Sequence, residues 1–211
     1  MQGKINLVKG ERRSMAGLTR LRVTMGWKVN PNARPPYDLD ASTFLLGEDG
    51  QIAFQPDFVF YGSIKQITVQ TPDGPKQRPV SEDGSVLGSI DDLGDDDDNT
   101  GEGEEEIEVD LSKTEERVKE ILFTASIYWE PDSASRNYNF GQVRDAYIQI
   151  TNDVTGEVIC RYDLDEDFST MKGVVFGRLY RRGGEWKFQA VGEGEPQGLE
   201  PIVRKYAKNF I

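Results

Sequence analysis

Histidine is absent from the 211-residue sequence, and cysteine occurs once, as Cys160. Without histidine the chain cannot use a Ser-His-Asp or Cys-His catalytic arrangement, and it cannot bind zinc through imidazole. A single cysteine excludes a disulfide within the chain. The first residues, MQGKINLVKGERR, contain no apolar stretch of the kind found in a signal peptide, and no apolar run is long enough to cross a bilayer. These features predict a soluble, cytoplasmic protein.

Basic residues are missing from one long stretch. Residues 79–112 contain no Lys or Arg but 14 Asp and Glu, which leaves 23 acidic residues against 25 basic ones in the rest of the chain. The net charge of −12 therefore originates in this segment, and it argues against a protein that binds nucleic acid through phosphates. Carboxylates in a pair 4 Å apart repel each other by about 1 kcal/mol in water. The segment is therefore expected either to stay extended and solvated or to fold around a cation.

Short strands dominate the rest of the sequence. Two pairs of apolar runs, each pair separated by turn residues, have the pattern of β-hairpins: 146–151 with 158–162, and 174–180 with 186–191. Further strand-like runs lie at 4–8, 21–25, 41–46, 57–61 and 121–129. The pattern predicts a mostly β protein, a sandwich or a barrel, in one domain over residues 1–211. A loop-rich segment at about 64–96 is predicted to be an insertion.

Two helices are predicted. Residues 199–210 place apolar side chains on one face, and that face is expected to dock on a sheet. Residues 114–119 follow Ser112, and Glu115 lies three positions after this serine, which is the pattern of a capping box.

The tryptophans and the cysteine are expected to have structural roles. Trp27, Trp129 and Trp186 lie in or beside predicted strands, so we expect them to pack in the sandwich. Cys160 lies in a predicted strand and is expected to fill the core rather than to act as a redox sensor.

The sequence DDDDNTGEGEEE at residues 95–106 offers only oxygen ligands and two glycines that allow sharp turns. Calcium prefers six to eight such oxygens in a flexible arrangement, whereas magnesium keeps more of its waters. The segment does not match an EF-hand loop, because Thr100 occupies the glycine position and no predicted helices flank it. It is interpreted as a calcium loop of another design, and a disordered acidic loop is the alternative.

A second acidic pair, Asp38 and Asp40, directly precedes the predicted strand at 41–46. Side chains two residues apart in a strand point to the same side, so both carboxylates are expected to face one way. Taken alone, this pair is more typical of a solvated strand end than of a metal site.

The sequence resembles the TerD family of tellurium-resistance and stress-response proteins through several motifs in the same order and spacing. They are Gly26-Trp27, YDLDASTFLLGEDGQI at 37–52, DFVFYGS at 57–63, DNTGEGE at 98–104, VDLS at 109–112, NFGQVRDAYIQITNDVTGEVICRYDL at 139–164 and FGRLYRRGGEWKFQAVGEG at 176–194. The resemblance implies a β-sandwich of two sheets that holds calcium, as two ions, in loops at one end and has no catalytic activity.

The resemblance also implies a set of metal-binding residues, with the glycines contributing main-chain carbonyls only. They are Asp38, Asp40, Asp98, Asn99, Gly101, Gly103, Glu104, Glu105 and Glu106. Asp97 is predicted with them, because it falls at a ligand position when the EF-hand pattern is started at Asp95. After TGEG the family usually continues with Gly-Asp-Asp-Glu, whereas this chain has a shorter, glutamate-rich continuation. The ligands after Gly103 are therefore open, as is the contribution of Asp95 and Asp96.

Three functions follow from the sequence. The first is a non-enzymatic, calcium-binding stress protein that acts with other tellurium-resistance proteins, as family members do near a membrane-embedded partner at the inner membrane face. The second is a calcium-dependent adaptor for membranes or proteins without a role in tellurite resistance. The third is an enzyme such as a glycoside hydrolase, which needs two carboxylates in contrasting environments. Residues 163–167 contain several acids but no distinct pair, so the enzyme is the least favoured function.

Overall fold

A computed structural model describes residues 5–28, 33, 39–90, 102–129 and 132–210. These ranges contain fourteen strands, one α-helix and three short 3-10 helices. The strands are β1 (Ile5–Leu7), β2 (Arg12–Ser14), β3 (Arg20–Lys28), β4 (Leu39–Leu46), β5 (Phe58–Val59), β6 (Gln66–Thr71), β7 (Gly74–Pro79), β8 (Val86–Leu87), β9 (Glu102–Asp110), β10 (Glu120–Ile127), β11 (Arg144–Asn152), β12 (Val158–Asp163), β13 (Gly173–Arg182) and β14 (Glu185–Glu195). The α-helix, α1, covers Leu199–Tyr206, and the 3-10 helices cover Gln55–Asp57, Ala134–Asn137 and Lys208–Phe210.

Twelve strands form two six-stranded sheets that pack face to face. Sheet A has the order β1-β12-β11-β3-β9-β8, and sheet B has the order β2-β14-β13-β10-β4-β5. Neighbours in both sheets are antiparallel except β1 and β12, which are parallel. The hairpins predicted from the two pairs of apolar runs are β11–β12 and β13–β14. The predicted β-sandwich with a C-terminal helix is therefore confirmed.

The alternation of side chains along each strand builds the core between the sheets. On β3, Leu21, Val23 and Met25 point inward and are buried, while Arg20 and Arg22 face solvent. Burying one such apolar side chain stabilises the fold by about 1.5–3 kcal/mol.

Strand β4 is buried on both faces. Leu39, Ala41 and Leu45 belong to the core between the sheets, whereas Phe44 and Leu46 lie on the outer face of sheet B beneath α1. The outer face of this part of the sandwich is therefore a second, smaller core that depends on the helix.

The C-terminal helix is shorter than predicted, since α1 ends at Tyr206 and a 3-10 turn follows. Its apolar face docks on sheet B, where Ile202 and Tyr206 pack near Phe44. The helix end is fixed by the amide of Ile52, which donates to the carbonyl of Tyr206 at 2.9 Å. No helix in the described ranges is long and apolar enough to cross a bilayer.

The helix predicted at 114–119 is wrong, because the structure has turns there. The groups that would cap it are bonded elsewhere: the Ser112 amide and hydroxyl donate to the Asp110 carboxylate, and the Glu115 amide donates to Asp83. These hydrogen bonds, local for Ser112 and tertiary for Glu115, compete successfully with a short helix whose nucleation is costly.

The predicted insertion contains a separate two-stranded ribbon, β6–β7. It is attached to sheet A through Arg78, whose buried side chain donates to the carbonyl of Gly88 at 2.6 Å and pairs with Glu108 at 2.5 Å. A lone hairpin is marginally stable in water, so this anchor contributes to its order. Whether the segment at about 64–96 is an insertion in the family stays a prediction.

Of the three tryptophans, only two pack as predicted. Trp27 is buried in the core, and Trp186 is partly buried and packs against the core. Trp129 is 40% exposed and stacks against the Lys172 ammonium. Trp129 follows the end of β10 and therefore extends beyond the layer between the sheets.

Cys160 is fully buried in the core, as predicted, and burial raises its pKa to about 12. Because the thiolate is the reactive form, the native thiol should react with DTNB at neutral pH roughly a thousandfold more slowly than the unfolded chain. Stopped-flow absorbance in buffer and in denaturant compares the two rates. Similar rates would show that the core opens locally at β12.

Candidate metal centre

Several strands begin or end together at one end of the sandwich, which we name the long-loop end. They are the end of β3 and the start of β4, which flank 29–38; the end of β10 and the start of β11, which flank 128–143; the end of β12 and the start of β13, which flank 164–172; and the start of β9, which follows 88–101. The strand register fixes this arrangement, because Lys28 at the end of β3 is opposite both Glu102 and Arg144. In sheet B, Leu39 is opposite Ile127. Predicted metal ligands precede both β4 and β9, and both strands begin at this end of the sandwich.

Half of the predicted ligands lie outside the described residues, namely Asp38, Asp97, Asp98, Asn99 and Gly101. The other half are in strands: Asp40 in β4, and Gly103, Glu104, Glu105 and Glu106 in β9. Strands β4 and β9 contact each other across the sandwich. The structure therefore brings Asp40 and Gly103 to the same end of the sandwich, on strands of the two sheets that contact each other. It places 104–106 in a strand rather than in a loop.

The alternation in β9 separates the three glutamates. Ile107 and Val109 point into the core, so Glu105 shares the inner face while Glu104 and Glu106 lie on the outer face of sheet A. By the same reasoning, Asp40 shares the outer face of sheet B with Phe44. A calcium ion needs its ligands within about 2.3–2.6 Å, so one ion cannot use all of these strand carboxylates.

The outer-face glutamates already have partners. The hydroxyl of Tyr147 donates to Glu104 at 2.6 Å, and the guanidinium of Arg22 lies 3.5 Å from Glu106. Two residues on one strand face are about 6.8 Å apart, so Glu106 lies farther from the long-loop end than Glu104.

Trp27 closes the inner side of this end. Its indole lies across Gly103, the residue opposite it on β9, so closely that a Cβ at Gly103 would be 2.4 Å from Cε2 of the ring. The indole Nε1 is buried and has no hydrogen-bond partner among the described residues. The pairing requires glycine at position 103, whatever its carbonyl binds.

A cavity of about 570 Å³ opens beside Trp27 and Glu104. Its other lining residues are Lys28, Gly103, Asp145, Ala146, Tyr147, Arg161, Asp163, Leu164 and Asp165. Apart from Gly103 and Glu104, none of these residues belongs to the site predicted from the sequence, although Trp27, Asp145 and Asp163 lie within motifs of the resemblance.

The charges that line this cavity are largely compensated within it. Arg161 stacks on the ring of Tyr147, with 3.4 Å from its Cζ to the ring centroid, and pairs with Asp163 at 2.6 Å. Lys28 pairs with Asp145 at 2.5 Å and holds the pKa of that carboxyl below its usual value. Within residues 5–28, 33, 39–90, 102–129 and 132–210, no three Asp, Glu or Cys side chains are grouped so as to hold a metal ion.

Comparisons with known proteins agree with the motifs. The family model described as the TerD domain matches residues 3–206. The chain is 36% identical over 208 residues to general stress protein 16U of Bacillus subtilis (strain 168), covering 96% of each chain. It is 34% identical over 212 residues to tellurium resistance protein TerD of Serratia marcescens, covering 97% of this chain and 98% of that one.

A solved structure has the same fold. The crystal structure of a homologue of telluride resistance protein TerD from Streptomyces coelicolor A3(2) superposes with a TM-score of 0.60 at 15% identity, covering 90% of this chain and 96% of that one. The resemblance stated from the motifs is thus confirmed, and the chain belongs to the TerD family of tellurium-resistance and stress-response proteins.

Proposed function

We propose that this protein is a non-enzymatic stress-response protein of the tellurium-resistance type that binds calcium at the long-loop end. The observation that supports the proposal is the topology: β4 begins at Leu39 and β9 begins at Glu102, both at the long-loop end, and the two strands contact each other across the sandwich. The segments 38–40 and 97–105 supply carboxylate, amide, hydroxyl and carbonyl oxygens, the type of ligand that calcium prefers. The described strands offer Asp40 and Glu105, and the remaining ligands would come from Asp38 and 97–101.

The proposed absence of catalysis is supported by the shifted carboxyl groups. The pKa values of Asp83, Asp110 and Asp145 are all lowered, by hydrogen bonds to Asp83 and Asp110 and by Lys28 beside Asp145, although burial opposes the shift. A carboxyl that acts as general acid needs a raised pKa instead. Lowered pKa values are typical of carboxylates that accept hydrogen bonds or form ion pairs within the protein.

Calcium should raise the melting temperature, since a ligand that binds only the native state stabilises it by RT ln(1 + [L]/Kd), or about 2.7 kcal/mol at 100 times Kd. Differential scanning fluorimetry in chelator and in millimolar calcium measures this. Asp98→Asn should abolish most of the increase, whereas Asp92→Asn removes the same charge from the same segment outside the predicted ligand set and should preserve it.

The experiment has clear contrary outcomes. An unchanged melting curve of the unmodified protein in calcium would contradict calcium binding. Equal loss of the calcium effect in Asp98→Asn and Asp92→Asn would indicate general charge neutralisation instead of a defined site. Magnesium at the same concentration should be much less effective, because it keeps its waters and prefers smaller, octahedral sites.

A second candidate function, the calcium-dependent adaptor, is favoured by one observation. Tyr128 and Trp129, which are 45% and 40% exposed, follow the last residue of β10 at the long-loop end. Aromatic side chains beside a calcium site can contact the headgroup region of a membrane or a protein partner.

The proposal places the protein in the cytoplasm, peripheral to the inner membrane face, where it would meet other tellurium-resistance-type proteins and a membrane-embedded partner.

Co-sedimentation with anionic liposomes tests the membrane form of this adaptor. Sedimentation should require calcium and should decrease in Trp129→Ser, while Trp186→Ser, which alters a tryptophan at the opposite end of the sandwich, should sediment normally if folded. Sedimentation that does not depend on calcium would contradict it.

A further inference from the structure

A cleft of about 550 Å³ lies on the outer face of sheet B, toward the end opposite the long-loop end. We name it the outer cleft. Its lining residues are Lys9, Gly10, Leu46, Gly47, Glu48, Gly50, Lys119, Glu120, Leu122, Val175, Arg178, Arg181, Gln189, Ala190, Val191, Glu193 and Tyr206. Its volume lies in the range of sites for small molecules, about 300–1,000 Å³. None of the predicted metal ligands lines it.

The floor of the outer cleft carries a fixed guanidinium. Arg178 donates from Nε and Nη2 to the side-chain oxygen of Gln189, at 3.0 and 2.9 Å, and from Nη1 to both carboxylate oxygens of Glu120. Its partners are on the strands to either side, β10 and β14, so the side chain bridges three strands. Such a network orients the guanidinium before any ligand arrives.

The two walls are held to the sheet by hydrogen bonds. On one side, the carbonyl of Tyr206 accepts from Ile52, and the neighbouring helix end is bonded to Gln51. On the other side, the amide of Gly10 donates to the carbonyl of Ala190 at 2.9 Å. The outer cleft is therefore preformed, which lowers the entropic cost of binding a ligand.

The charged side chains that line the outer cleft have a net positive charge. Two of its cations are paired, Arg178 with Glu120 and Lys9 with Glu166. Lys119 and Arg181 form no ion pair with a described residue, and the buried Nε of Arg181 has no hydrogen-bond acceptor there. Of the lining acids, Glu193 lies 3.9 Å from Lys205, so the exposed Glu48 is the one described acid left to balance them.

We propose that the outer cleft binds a small organic anion with an apolar or aromatic body. The anionic group would lie against Lys119, which pairs with no described acid, and beside the guanidinium of Arg178, whose charge Glu120 partly compensates. The body would rest on the floor formed by Leu122, Val175 and Val191, beside the ring of Tyr206. Binding at this site would not require calcium. It would allow the protein to respond to a small molecule at the end opposite the long-loop end.

Titration with phenyl phosphate and with benzoate, followed by ¹H–¹⁵N correlation spectra in chelator, tests the proposal. Saturable shifts should be confined to the lining residues, and the tighter of the two probes identifies the anion as phosphate or carboxylate. Lys119→Gln should weaken binding of that probe about tenfold, which corresponds to 1.4 kcal/mol. Lys113→Gln, the same change at an exposed position outside the cleft, should bind normally. Tyr206→Leu should weaken both probes by a similar factor.

Three results would overturn the proposal. The first is an absence of saturable shifts at the lining residues with both probes at millimolar concentration. The second is unchanged binding in Lys119→Gln. The third is inorganic phosphate or benzyl alcohol binding as tightly as the better probe, since either result would show that the anion and the body do not act together.

Discussion

Replacing Asp57 by alanine should destabilise the protein by about 3–5 kcal/mol, the usual cost of removing one partner of a buried ion pair. Asp57 is 0% exposed. Its two carboxylate oxygens accept from Nη1 and Nη2 of Arg117, at 2.6 and 3.0 Å, and one of them also accepts from the amide of Phe54 at 3.1 Å. The substitution leaves the Arg117 guanidinium and the Phe54 amide without acceptors in a partly buried place.

The same arginine provides the matched control for this prediction. Arg117 also pairs with Glu115, whose side chain is exposed, so Glu115→Ala should cost less than about 1 kcal/mol. Urea unfolding followed by circular dichroism gives both free energies. The double variant Asp57→Ala, Arg117→Met should be more stable than Asp57→Ala alone, because no unpaired charge remains. Equal costs for Asp57→Ala and Glu115→Ala would show that burial of the pair contributes nothing.

This ion pair also explains which part of the fold the sequence could not predict. The sandwich and its hairpins follow from periodicity and turn residues, which are local signals. The chain at 114–119 had the local signals of a helix, but its amides and side chains bond to Asp83 and Asp57, which are distant in sequence. Partners of this kind become visible only once the register of the sheets is known.

The acidic segment shows the same limit at the candidate site. Composition alone made 104–106 part of a loop, whereas β9 begins at Glu102 and runs to Asp110. The pattern EEIEVD at 105–110 does alternate, and that alternation was the available signal for a strand. What the sequence could not show is that β9 lies beside β3, whose outward Arg22 pairs with Glu106. The ion pair between Arg22 and Glu106 reduces the repulsion between carboxylates on β9. From the sequence alone, this repulsion predicts either a solvated segment or a bound cation.

The acidic side chains of β9 lie on two faces of the strand, and their surroundings differ. On β9, the outer carboxylates meet basic or hydroxyl side chains, and only Glu105 faces the inner side at the mouth of the sandwich. Of the three predicted glutamates on β9, only Glu105 shares the inner face with Gly103, so we propose that it supplies a ligand rather than Glu106. The matched variants Glu105→Gln and Glu106→Gln should differ in the calcium-induced rise in melting temperature, and only the first should lose part of it.

Gly103→Ala should destabilise the protein by about 1–3 kcal/mol, the cost of overpacking a filled site. The added Cβ would lie 2.4–2.7 Å from three atoms of the Trp27 indole, all closer than real contacts allow. The ring is buried in the core at the long-loop end, so it must rotate or shift outward. We expect a red-shifted tryptophan emission in the native state together with a lower urea midpoint.

Gly47→Ala is the matched control, because a Cβ at position 47 would meet nothing closer than 3.4 Å. Replacing glycine where the backbone is unstrained commonly stabilises a protein by about 0.4–1 kcal/mol, through the unfolded state. Trp27→Phe in the Gly103→Ala background should recover part of the loss, since the smaller ring lacks the atoms that clash. If Gly103→Ala and Gly47→Ala have equal stability, the indole does not constrain position 103, and the glycine there must be explained by its carbonyl instead.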